Sequence, residues 1–205
     1  MKRTLILASI VAMLSTGAIA GNTDLATADP DKAIAPTSNV TDWSGSYVGL
    51  SYSSVDGTLT YNNQTTVYEI LEDSAIGVFA GYNWQSGNLV YGSELNVTER
   101  LVGLTGFPTE YLGNTIELRG RGGYAIGDTL AYGFLGYSKS DFTNSQGTWD
   151  VDGVTYGLGV DYMVTTSIFA GLEFSNRELS GATVNAGQKQ ESSIDMISLR
   201  LGYKF

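Results

Sequence analysis

The residues best able to do chemistry are eight charges at alternate positions of otherwise apolar stretches. They are the acids Glu94, Glu117, Asp161 and Glu173 and the bases Arg119, Arg121, Arg177 and Arg200. Glu117, Arg119 and Arg121 follow at i, i+2 and i+4, a spacing that puts all three on one face of a β-strand. Carboxylates so placed could move protons, ligate a metal or pair with guanidinium groups. The chain has no histidine and no cysteine, which removes the usual general bases, the thiol nucleophiles and the commonest zinc and haem ligands. Equal numbers of acids and bases on one set of faces favour ion pairing, so no catalytic, cofactor-binding or metal site is expected. Glu72 and Asp73 could offer oxygens to calcium, but adjacent carboxylates are ordinarily solvated charge.

The elements that must carry these charges repeat with period 2. Alternating stretches cover residues 46–55, 75–85, 89–97, 115–126, 130–142, 154–162, 168–177 and 199–205. Each has one greasy face, such as Ile116, Leu118 and Tyr124, and an opposite face of glycine, polar groups and the eight charges. Residues 130–142 are apolar on both faces at their start, so pattern alone leaves their register open. A polar face this rich in glycine is too narrow to coat an exterior, so the apolar face is expected to meet lipid and the charges to meet each other. The predicted fold is all-β, an eight-stranded antiparallel up-and-down transmembrane β-barrel. A bore of that size is filled by its own side chains, and the charges become a plug that does not conduct. Arg119→Ala combined with Arg121→Ala is then expected to open a path.

The ends of the chain place this barrel. Met1-Lys2-Arg3, an apolar run from Leu5 to Leu14 and Ala18-Ile19-Ala20 read as a cleaved signal peptide over 1–20. Residues 21–42 are polar, contain Pro30 and Pro36 and have no period, which predicts a flexible periplasmic lead before a barrel domain over 43–205. The last strand offers Leu199, Leu201, Tyr203 and Phe205 to lipid, with Arg200 and Lys204 turned inward. No stretch approaches the roughly 20 apolar residues of a membrane helix. The net charge of −10 falls to −12 without Lys2 and Arg3, which disfavours nucleic acid as a partner.

Connections alternate in length. Those after the second, fourth and sixth strands are tight turns, whereas 56–74, 98–114, 143–152 and 180–192 are predicted as long loops. With both termini on the periplasmic side, the long loops face outward, where an extracellular ligand would be met. Trp43, Trp84 and Tyr203 near one end and Tyr52 and Phe142 near the other are expected to form interfacial girdles. Trp149, Phe107 and Tyr111 could stack on sugars, but loop packing is the favoured role.

Asp42-Trp43-Ser44-Gly45-Ser46-Tyr47-Val48-Gly49 resembles the D-W-x-G-x-Y-V-G opening of the small outer-membrane β-barrel proteins of alphaproteobacteria, the opacity-type and surface-antigen porin-like group. The ending from Ser198 to Phe205 resembles the terminal assembly signal read by the barrel-insertion machinery. The resemblance implies an eight-stranded barrel in the outer membrane of a Gram-negative bacterium, with roles in envelope integrity, surface antigenicity and adhesion. The lead over 21–41 is longer than is usual in that group. The expected function is a non-catalytic structural and surface-interaction barrel whose partners are outer-membrane lipid, lipopolysaccharide and an extracellular ligand at the long loops. The alternatives are a small passive channel and, with the faces reversed, a soluble lipocalin-like carrier.

Overall fold

A computed structural model of the chain describes residues 40–63, 65–99, 111–185 and 187–205, and no side chains over 70–73. Outside the described residues lie the expected signal peptide, the lead up to residue 39, Phe107, and the side chains of Glu72 and Asp73. The strands are β1 (Gly45–Tyr61), β2 (Val67–Ser86), β3 (Leu89–Thr98), β4 (Tyr111–Leu112), β5 (Thr115–Ile126), β6 (Thr129–Asn144), β7 (Gly147–Met163), β8 (Ile168–Ala182) and β9 (Lys189–Lys204). All pairings are antiparallel. The eight long strands form a ring in the order β1-β2-β3-β5-β6-β7-β8-β9, closed by β1 against β9. The two-residue β4 adds to β6 at Thr143 and Phe142, outside the predicted count of eight.

Alternation of side chains explains why this sheet closes with its polar face inside. Along β5, Ile116 and Leu118 point out while Glu117, Arg119 and Arg121 are buried. Along β9, Ile197, Leu199, Leu201 and Tyr203 point out while Ser198 and Arg200 are buried. Tight turns at Gly87-Asn88 and Gly127-Asp128 join β2 to β3 and β5 to β6. Both glycines hold positive φ, 60° and 57°, as such hairpin turns demand. These turns share one end of the ring with Gly45 and Lys204.

The register of β6, open at the level of pattern, puts Leu130, Tyr132 and Phe134 in the bore and Leu135 and Tyr137 outside. Its cause is a set of cross-strand pairs in which an inward ring lies on an inward glycine. These pairs are Tyr47 with Gly81, Phe79 with Gly49, Tyr132 with Gly159, Phe134 with Gly157, and Phe169 with Gly202. In this part of the narrow bore each of these rings takes the space left by a facing residue with no side chain. A Cβ on residue 159 would lie 2.5 Å from the Tyr132 ring.

Three of the four predicted long loops are mostly strand. Residues 62–66, 145–146 and 183–188 alone connect β1 to β2, β6 to β7 and β8 to β9. The side-chain phase continues through the extensions of β1, β6, β7, β8 and β9, whereas β2 gains one residue against β1 where Val55 pairs with Asp73 and Gly57 with Ile70; in these extensions the chemistry inverts. Val55, Leu59, Val151, Leu179, Ile194 and Met196 point inward, and Asp56, Asp150, Glu178 and Asp195 are exposed. This is how a barrel passes from lipid into water. An alternation with grease outside and polarity inside therefore ends before the strands themselves do.

The structure also corrects the aromatic girdles. Trp84, Tyr52 and Tyr203 are exposed on the outer wall, but Trp43 and Phe142 are buried in the bore. Trp149 is buried too, its indole donating to Gln190 Oε1 at 3.1 Å and its ring 5.1 Å from Phe142.

Candidate functional site

The bore contains three layers. Next to the tight turns lies an apolar layer of Trp43, Tyr47, Phe79, Val90, Leu130, Tyr132, Phe134, Met163 and Phe169. At the opposite end lies a second, built from Val55, Leu59, Leu112, Phe142, Trp149, Val151, Leu179 and Ile194. The eight charges occupy the bore as well, none of them more than 6% exposed.

Glu94, from β3, is the hub. It accepts from Arg119 Nε at 2.9 Å, Arg200 Nη2 at 2.6 Å, Arg121 Nη1 at 3.2 Å and the Tyr47 hydroxyl at 2.9 Å. Glu173 accepts from Arg119 at 2.9 Å, Arg200 at 2.5 Å and the Tyr132 hydroxyl at 2.8 Å. Asp161 takes Arg121 Nη2 at 2.8 Å. A second group joins through Glu117, which accepts from Arg177 Nε at 2.6 Å and Ser138 at 2.7 Å and stands 3.8 Å from Arg119. Arg177 also donates to Thr98 at 3.0 Å. The structure thus brings all eight residues into one connected set, because β3 faces β5 in register and β7, β8 and β9 complete the far wall.

Three guanidinium planes also lie on rings: Arg119 on Phe134 at 4.2 Å, Arg121 on Tyr132 at 3.8 Å and Arg200 on Phe79 at 4.0 Å. These rings and the Tyr47 and Tyr132 hydroxyls are members of the site that charge spacing alone did not identify. The signal that would find them is an aromatic residue among glycines on the polar face, as in Gly77-Val78-Phe79-Ala80-Gly81.

Chemically, this arrangement neutralises charge. Every carboxylate of the set is engaged by at least one guanidinium group, which suits electrostatic pairing and leaves none directed at an open cleft. Among the described residues no three acidic, histidine or cysteine side chains are grouped to hold a metal ion. Outside the bore, Asp42 accepts the Ser44 hydroxyl at 2.6 Å and the Ser44 N–H at 2.9 Å, and these donors hold its carboxyl below the ordinary value. On the outer wall, Leu199, Leu201, Tyr203 and Phe205 are all exposed, as a lipid-facing strand requires.

Comparison with known proteins agrees with this inside-out construction. Residues 32–205 match the family model described as the outer membrane protein beta-barrel domain. The chain is 33% identical over 141 residues to a 22 kDa outer membrane protein of Rhizobium leguminosarum bv. viciae, a match spanning 62% of this chain and 64% of that one. It is 25% identical over 244 residues to the 31 kDa outer-membrane immunogenic protein of Brucella melitensis, covering 99% of this chain and 100% of the relative. The crystal structure of Neisserial surface protein A superposes with a TM-score of 0.50 at 14% identity, covering 79% of this chain and 98% of that one, a likeness of fold. A closed antiparallel ring with an apolar exterior and a match over most of its length place this protein in the outer membrane of a Gram-negative bacterium, and the chain belongs to the outer membrane protein beta-barrel domain family.

Proposed function

We propose that the protein is a non-catalytic barrel with a closed bore, acting as a structural element of the envelope and meeting the outside through hairpins that extend beyond the lipid belt. The observation that carries this reading is the filling of the bore: two apolar layers accompany a neutral set of four acids and four arginines. Filled layers leave little for an ion to follow, and the apolar ones resist wetting. Planar-bilayer recording of the folded chain is expected to give no reproducible steps, and regular steps would favour the passive-channel reading instead. The apolar layers also change the expectation for Arg119→Ala with Arg121→Ala. That double variant leaves Val55, Leu59 and Ile194 in place and is expected to stay silent.

The surface role is supported by the three extended hairpins and by the name of the Brucella relative, an outer-membrane immunogenic protein. Side-chain amides tie the hairpin tips together: Gln188 donates to Asn63 at 3.0 Å and Asn185 to Gln146 at 2.9 Å. We infer a surface of fixed shape, suited to binding an extracellular ligand or antibody. Lipid and lipopolysaccharide meet the outer wall, and the insertion machinery reads Leu199, Leu201, Tyr203 and Phe205. A deletion strain that keeps normal adhesion and normal detergent resistance would overturn both roles.

A further inference from the structure

Residues 40–44 belong to no strand, yet they close one mouth of the bore. They leave β1 at Gly45, whose φ of 114° is natural only to glycine and where a Cβ would lie 3.2 Å from the Phe205 carbonyl oxygen. The segment then reaches the turn between β5 and β6, on the far side of the ring from β1. There Thr41 donates its N–H to Gly127 O at 3.0 Å and its hydroxyl to the Asp128 carboxylate. Gln85, at the end of β2, supplies the second anchor: it accepts the Trp43 N–H at 2.6 Å and donates to Thr41 O at 3.3 Å.

These anchors lower Trp43 into the bore, where it is 2% exposed and its ring stands 5.9 Å from Phe169, edge to face. The Trp43 Nε1 is buried there without a partner. That donor loses its hydrogen bond to water on seating and regains it on leaving. The wall strands are held by ladders of backbone hydrogen bonds, whereas this closure rests on rim side chains and one turn carbonyl.

We propose that residues 40–44 form a hinged latch: seated, Trp43 seals the periplasmic mouth, and released about Gly45 it admits water to the apolar layer and the ion-paired set beside it. The latch is independent of whether the whole bore conducts, because the opposite apolar layer stays closed in either position.

The absence of cysteine makes the test direct. Val90 is 3% exposed within the latched layer, and Val90→Cys in the full chain folded in detergent micelles reports access to a water-soluble maleimide. Labelling is expected to be slow in that variant and at least tenfold faster once Thr41→Ala and Gln85→Ala remove the side-chain anchors, leaving the Thr41 N–H on Gly127 O and the Lys204 ammonium on Ser44 O. Heat-dependent gel mobility checks folding, and Gln85→Ala alone serves if the combination does not fold. In a chain carrying Trp84→Phe and Trp149→Phe, the emission of Trp43 is expected to shift to longer wavelength with the same anchor changes. Equal labelling rates with and without the anchors would overturn the latch, as would Val90→Cys reacting as fast as the exposed control Ser86→Cys. An unshifted Trp43 emission would overturn it too.

Discussion

At the scale of the residue, Glu94 carries the largest consequence. Three arginines and a tyrosine converge on one carboxylate that is almost completely buried. Removing one member of a buried ion-paired set leaves the others uncompensated, which costs far more than an exposed pair does. Glu94→Ala is expected to destabilise the barrel by about 3–5 kcal/mol, read as a lower urea midpoint in lipid vesicles. Exchange of the exposed pair Lys139 and Asp150, 2.8 Å apart, should leave that midpoint within error. A comparable loss for both would show that the buried set is hydrated rather than packed.

At the scale of the element, the unit of construction is a strand pair in which a glycine makes room for a ring. Gly159 on β7 faces Tyr132 on β6, and that ring supports Arg121 while its hydroxyl holds Glu173. Gly159→Val pushes the ring away and so disturbs packing and charge together. The expected cost is about 1–3 kcal/mol, measured by the same unfolding assay, with a matching fall in the yield of heat-modifiable barrel. Val160→Ala, the next residue but on the outer wall, should be close to neutral for the bore. The period-2 signal marks all eight long strands but stops short on β1, β2, β6, β7, β8 and β9, because their outer segments exchange polar and apolar faces, and on β2 the register against β1 also slips by one residue.

At the scale of the whole molecule, the fold is defined by what it turns outward. Leu118 is 64% exposed on the wall, beside the buried Glu117 and Arg119. Leu118→Arg is expected to cost about 2–4 kcal/mol in a bilayer if that position lies near the midplane, seen as a reduced folded fraction in vesicles. The same change in a water-borne barrel would be harmless, so a neutral result would contradict the lipid-facing wall. The alternation, the absence of histidine and cysteine, the charges at even spacing and the aromatic ending are local properties, and the chain states them in its residue order. They determine a barrel with its charges facing its axis. The partner of each charge, the burial of Trp43 and Phe142 and the seating of rings on glycines depend on which strands face one another across the bore. Those distances exist only once the ring has closed, and no period along a single strand encodes them.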